Sequence, residues 1–141
     1  MKQEIELLTK DLGARLLYMP MVEYKGETYN VLGITHGRLV LCKRFMSYTL
    51  DECPLVEEVK PYLFPFSSMT LEQRWKAQNL LPDNCEISFT NSKIEFYGED
   101  YHKIKLEQFE NLFNLFNMWY LDYRGLIPMG LANDATGKNI Y

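Results

Sequence analysis

The chain has 141 residues and a mass of 16.7 kDa, the size of one ordinary domain. Hydrophobic residues make up 47% and charged residues 24%, which argues against a disordered or fibrous chain. The 15 Lys and Arg against 19 Asp and Glu give a net charge of −4 and a pI near 5.2. That balance argues against broad phosphate tracking, whose affinity rests on neutralised phosphates.

Residues 2–12 read as a short helix, with Ile5, Leu8 and Leu12 at i, i+3, i+7 and Leu7 widening the stripe. Gly13 is the expected C′ residue. The pattern then changes to strands at Met21–Tyr24, Glu27–Leu32 and Arg38–Cys42, with breaks at Lys25-Gly26 and Thr35-His36-Gly37. Three strands joined by tight turns predict an antiparallel meander. Asp51-Glu52 and Glu57-Glu58 are expected as solvated charges. Val59–Phe66 carries Pro61 and Pro65, which predicts an extended segment or an edge strand.

Thr70 and Gln73 form a capping-box pattern, so a helix is expected over 71–81, with Leu71, Trp75 and Leu80 or Leu81 on its apolar side. Pro82-Asp83-Asn84 ends it. Residues 85–89 and 93–97 alternate with period two around an Asn91-Ser92 turn, and Gly98–Asp100 turns the chain toward 101–105. This is a second hairpin or small meander, with His102 at a strand start. Residues 106–123 give the clearest helix, with Leu106, Phe109, Leu112, Phe113, Phe116 and Tyr120 on one stripe and Glu107, Glu110, Asn114 and Asn117 opposite. Residues 124–141 are rich in Gly and polar turn residues and read as coil. The fold class is therefore α+β: two antiparallel hairpin or meander groups, a long C-terminal amphipathic helix and a shorter middle helix on the sheet, in a single domain 1–141.

Little in the sequence points to catalysis. The three cysteines, Cys42, Cys53 and Cys85, are odd in number and far apart, which fits small buried hydrophobes in a reducing compartment. His36 and His102 have no second ligand at metal-binding spacing. Gly130–Lys138 looks superficially like a phosphate loop, but its glycine spacing is wrong and Asn139 follows the lysine where Ser or Thr must hold Mg²⁺. No cluster of Lys and Arg is present beyond close pairs such as Lys43-Arg44 and Lys103/Lys105, so nucleic acid is not an expected partner. No apolar run is long enough to span a bilayer, and the first residues lack the basic-then-apolar order of a signal peptide, so a cytoplasmic protein is expected. No cofactor is implied.

Three stretches carry a resemblance. They are Lys10-Asp-Leu-Gly-Ala-Arg-Leu16, Val59-Lys-Pro-Tyr-Leu-Phe-Pro-Phe-Ser-Ser-Met-Thr70 and Asp122-Tyr-Arg-Gly-Leu-Ile-Pro-Met-Gly-Leu-Ala132. In this order they resemble a set of small uncharacterised proteins encoded by phages, prophages and other mobile elements of anaerobic gut bacteria. Gly13 stands where that set often has Cys, Leu17-Tyr18-Met19 replaces proline-tyrosine-glycine, Phe64 stands where Arg is common, and Pro128-Met129 replaces a Glu-Lys pair. The resemblance implies a mobile-element origin and a cytoplasmic setting, and carries no catalytic residues.

The aromatic content, 14%, fits either a packed core or a binding surface. The candidate binding residues are Tyr62 and Phe64, on a proline-fixed apolar strip, and Tyr123 and Arg124, in the Asp122–Gly125 corner. Arg124 could anchor an anion there with Tyr123 as stacking surface; the structural alternative is a helix cap in which Gly125 turns the chain and Asp122 fixes the last turn. The function expected is a non-enzymatic interaction protein that binds a host or phage protein or a second copy of itself. The alternative is a protein that binds or sequesters a nucleotide-like ligand in a pocket lined by Tyr and one of Arg15, Arg38 or Arg124.

Overall fold

The computed structural model describes residues 2–43, 49–90 and 93–141, so the expected Asn91-Ser92 turn and Arg44 of the Lys43-Arg44 pair lie outside the described residues. The first helix, α1, runs Lys2–Arg15. It passes through Gly13 without stopping. Its final turn is fixed by Arg15, which pairs with Asp11 one turn earlier and reaches across to a second helix. A 3-10 turn at Leu16–Tyr18 follows and closes on Met19 in the left-handed region.

The meander forms as expected: β1 (Met21–Tyr24), β2 (Glu27–Thr35) and β3 (Arg38–Lys43). Both connections place two consecutive residues at positive φ, Lys25-Gly26 and His36-Gly37, as a two-residue hairpin turn demands. The β2–β3 register shifts between Val31 and Gly33, so Leu32 is an extra residue without a cross-strand partner.

The strand β4 (Lys60–Leu63) is extended, but it is not an edge. A two-residue strand, β7 (Asn133–Asp134), pairs parallel to it at Tyr62 and Leu63, just past Pro61, and gives the sheet order β3-β2-β1-β4-β7. Residues 124–141 are therefore not all coil.

One face of this sheet, with Val22, Tyr24, Tyr29, Val31, Leu39, Leu41, Val59 and Leu63, packs against Leu8 and Leu12 of α1 and against Leu126. On the other face Met21 and Tyr62 pack against Ala135 and Ile140.

The second half builds a separate cluster. α2 (Leu71–Asn79) starts at the capping box: the Thr70 hydroxyl accepts from the Gln73 amide (3.1 Å), and Gln73 Oε1 accepts from the Thr70 amide (3.0 Å). Its expected apolar stripe is corrected. Leu71 is 86% and Trp75 65% exposed, and Ala77 is the residue it buries.

β5 (Glu86–Thr90) and β6 (Lys93–Tyr97) form the second hairpin. The Gln78 side chain caps the outer edge of β5, donating to Cys85 O (2.5 Å) and accepting from the Ile87 amide (3.3 Å). No third strand follows; His102 lies in a 3-10 turn, Tyr101–Lys103.

α3 runs Leu106–Met118, five residues shorter than the expected 106–123 helix. Tyr120 enters the left-handed region (φ 56°) and ends it. The Tyr120 amide donates to Asn117 O and the Leu121 amide to Phe116 O, the paired bonds of a Schellman motif with tyrosine in the usual glycine position. Leu112 and Phe116 are buried with Phe66, Ala77, Leu81 and Cys85 against the β5–β6 hairpin, whereas Leu106 is exposed and Asn117 buried, both against expectation.

Candidate interaction surface

Tyr62 and Phe64 point to the same side of β4, away from Leu63. Tyr62 is buried, with its hydroxyl 3.5 Å from Glu23. Phe64 is half-buried. Its amide donates to Tyr120 O (2.8 Å), and its carbonyl accepts from the Asp122 amide (2.8 Å). The proline-fixed strip and the Asp122–Gly125 corner are thus joined through backbone at Phe64 and Leu121.

Tyr141 completes this junction. Its hydroxyl accepts from the Met21 amide (2.9 Å) and donates to Tyr62 O (2.9 Å), bridging β1 and β4 beyond their last paired residues. Burial raises the pKa of this hydroxyl far above that of free tyrosine, so it remains a donor. The ring stacks on Tyr120 with centroids 3.6 Å apart and planes at 13°, and tilts against Phe64 at 6.0 Å. Tyr120 is anchored in turn by its hydroxyl, which donates to Tyr18 O. The spacing of Tyr120 marked it only as part of the apolar stripe of the expected 106–123 helix, and nothing marked Tyr141.

Behind the junction lies a buried ionic latch. Arg15 is fully buried and donates to both carboxylate oxygens of Asp11 (3.0 and 2.9 Å), to Phe116 O (3.3 Å) and to Leu121 O (2.5 Å). Arg124 pairs with the same Asp11 (2.9 Å), not with Asp122. Asp122 caps the turn after it, accepting from the Leu126 (2.7 Å) and Ile127 (2.8 Å) amides, and its burial raises the carboxyl pKa. The corner therefore has a structural task. The sequence did carry a signal for the latch: Asp11 and Arg15 sit at i, i+4 on the stripe that Leu8 and Leu12 occupy, a place where charge must be paired.

No protein-family model, no curated protein and no solved structure matches this chain.

The same geometry bears on a nucleotide-like ligand. The Tyr123 ring lies under the Arg124 guanidinium (4.4 Å) and beside Arg15 (5.3 Å) and Phe113 (5.1 Å), and its hydroxyl donates to Asn117 Oδ1 (2.9 Å). A stacked base would have to displace Arg124. The two arginines face two aspartates, so the corner holds no surplus positive charge. Arg38 and Tyr24 do line one cleft of about 280 Å³, but Glu52 and Glu58 line it too and repel an anion. The cleft at Phe64, of about 150 Å³, is smaller than the ~300 Å³ usual for ligand sites. Among the described residues no group of three or more His, Cys, Asp or Glu could hold a metal, and no helix is long and apolar enough to cross a membrane.

Several large apolar side chains are exposed near this junction, as others are at Leu71, Trp75 and Leu106. Leu17 (87% exposed), Met19, the bulged Leu32 and Tyr141 all present large side chains to solvent. They are tied together: Asn30 donates to Met19 O and to Met21 Sδ, the Val31 amide donates to Pro20 O, and Tyr120 holds Tyr18. Of these exposed side chains, Tyr141 is the one in contact with the Tyr62–Phe64 strip, through its ring against Phe64. Exposed Cys53 and buried Cys85 lie outside it.

Proposed function

We propose that this chain is a non-enzymatic interaction protein of phage or prophage origin, which docks a phage or host protein through the Leu17–Met19–Leu32–Tyr141 patch and the adjoining Phe64 strip. The origin rests on the resemblance of its three motifs. The observation that supports docking is the exposure of Leu17, Met19, Leu32 and Tyr141, the first three carried on segments hydrogen-bonded to one another at Met19–Asn30 and Pro20–Val31. Leu32 is turned out by a bulge, a device that re-aims side chains next to functional surfaces. Rigid aromatic and apolar anchors lose little conformational freedom on binding.

Tagged protein purified gently from a prophage-bearing anaerobic host, read by native mass spectrometry, tests this. A discrete stoichiometric partner is expected with the parent chain and is lost in a Leu17→Asp, Leu32→Asp variant of unchanged circular dichroism. A partner retained by that variant, or a parent chain that carries none, refutes the docking surface.

A further inference from the structure

We infer that the free edge of β6 is a second docking site, which takes an extended segment of a partner protein as an added strand, with a basic side chain opposite Glu95 and an apolar side chain on either side of it. This goes beyond the Leu17–Leu32 patch and does not depend on it. The bonds of the hairpin fix which way each residue faces. In the register Ile87↔Phe96 and Phe89↔Ile94, the Ile87 amide turns outward to Gln78 Oε1 (3.3 Å). Residues 87 and 96 are therefore a non-hydrogen-bonded pair, and so are 89 and 94, because the two kinds of pair alternate. The amides and carbonyls of Ile94 and Phe96 thus point away from β5, and among the described residues nothing bonds to them. The other sheet edges are guarded. Along β3 the Leu50 amide donates to Leu41 O and the Leu39 amide to Pro54 O, Gln78 caps β5, and β7 is two residues long. The β6 edge has none of these covers, and it carries neither a proline nor a bulge.

Two features say what this edge accepts. The first is the layer that an added strand extends. Ile94 and Phe96 are half-buried on the side where Phe96 meets Phe109 of α3 edge-on at 5.4 Å, and Leu106, one turn before Phe109, is 74% exposed. Apolar side chains opposite Ile94 and Phe96 join this layer, while the main chain supplies the hydrogen bonds. The second feature is charge. Lys93, Glu95 and Tyr97 are exposed on the opposite face. A second copy that pairs antiparallel through both Ile94 and Phe96 brings Glu95 directly opposite its own counterpart, and like charges in that position destabilise a strand pair. A basic residue there pairs with Glu95 instead. The edge therefore favours a different chain over a second copy, with the alternating pattern apolar–basic–apolar.

The test is an NMR titration of the isotope-labelled full chain with the peptide acetyl-Thr-Thr-Val-Lys-Val-Thr-Thr-amide, taken to several millimolar. The Ile94 and Phe96 amides are expected to shift and to exchange more slowly with solvent. A peptide N-methylated at both valines cannot donate to the edge and leaves these amides unchanged. A peptide with Glu in place of Lys binds about fivefold more weakly. The exposed substitution Glu95→Lys, which leaves the hairpin in place, reverses that preference. The Leu17→Asp, Leu32→Asp variant binds the lysine peptide as the parent does, which separates this edge from the patch. The proposal is overturned by Ile94 and Phe96 amides that stay unshifted, by equal binding of the N-methylated peptide, or by a preference for Lys over Glu that survives Glu95→Lys. It is also overturned by protection of Ile94 and Phe96 that rises with protein concentration alone, which assigns the edge to a second copy.

Discussion

Arg15→Met is the substitution that most directly interrogates the latch. Methionine approximates the volume of the arginine stem but has no donors. In the parent, Arg15 supplies two of the three side-chain bonds to the buried Asp11 carboxylate, and Arg124 the third. The Phe116 and Leu121 carbonyls each keep a backbone partner without it, from the Leu121 and Tyr123 amides. The loss therefore falls mainly on Asp11, a charge left in a fully buried position with one cation, Arg124, that is mostly buried itself. Removing one member of a buried pair costs about 3–5 kcal/mol. With an unfolding entropy of roughly 2 cal/mol/K per residue, a chain of this length should melt about 10–15 °C lower.

The assay is urea unfolding followed by circular dichroism and by tryptophan fluorescence in a Trp75→Phe background, which leaves Trp119 at the end of α3 as the reporter. Asp11→Leu in the Arg15→Met background removes the stranded charge and leaves Arg124, whose side chain is 21% exposed, able to turn to water. That double variant should be closer to the parent than Arg15→Met alone, since an apolar replacement of a buried pair is often neutral or better. The loss in Arg15→Met should also persist in high salt, because buried pairs are screened little. A cost for Arg15→Met under about 1 kcal/mol, the range of a surface pair, would refute the reasoning. So would a double variant that costs the sum of the two singles.

Three further outcomes are expected. Tyr141→Phe keeps the stack on Tyr120 but loses the hydroxyl between Met21 and Tyr62, for a cost of about 1–2 kcal/mol by urea unfolding, with faster hydrogen exchange at the Met21 amide. Gly98→Ala brings a Cβ to 2.3 Å from Asn84 O at φ 107°, and should destabilise by at least about 2 kcal/mol, since the obstacle is backbone. Asp122 has a raised carboxyl pKa in the fold, so the folded chain holds its proton more tightly than the unfolded one; the stability of the parent relative to Asp122→Asn should fall as pH rises from below 3.8 through the folded pKa. A difference that grows with pH over that window would show that the two amide bonds outweigh burial.

What the sequence disclosed is what local physics decides. The Lys25-Gly26 and His36-Gly37 turns, the Thr70–Gln73 capping box and the alternation of Glu86–Phe89 and Lys93–Tyr97 each depend on neighbours within a few residues. What it withheld depends on partners far along the chain. Gly125 was the natural residue to end a helix, yet α3 ends at Tyr120, because a tyrosine there gains the Tyr18 carbonyl and the Tyr141 ring. A left-handed non-glycine residue costs about 1–2 kcal/mol, which a stack and a buried hydrogen bond together offset. Likewise Asn133-Asp134 has no strand propensity; it is a strand because the β4 edge stands open beside it. Leu71 and Trp75 had helical spacing but face solvent, since periodicity cannot say which stripe meets a partner when Ala77 lies on another.

The three motifs of the resemblance make sense together only in three dimensions. Asp11 and Arg15 come from the first, the Phe64 backbone from the second, and Leu121, Asp122 and Arg124 from the third. They meet at one place, where α1, β4 and the end of α3 are bound by buried charge and backbone. In this chain the latch gives those residues a structural task that does not require any of them to touch a ligand. The Tyr123–Arg124 corner is spent on structure, whereas Leu17, Met19 and Leu32 stand just outside the motifs, held outward by the framework the motifs build. Between the two lies Phe64, whose backbone belongs to the latch and whose ring lines the aromatic slot. A Phe64→Leu variant separates these tasks: it keeps the backbone bonds to Tyr120 and Asp122, and therefore the fold, while removing the ring that meets Tyr141. Partner capture reduced in that variant with melting shifted by no more than about 5 °C, the effect of a conservative core change near 1.5 kcal/mol, places binding at the slot. Capture unchanged would leave the slot to packing alone and confine binding to the Leu17–Leu32 patch.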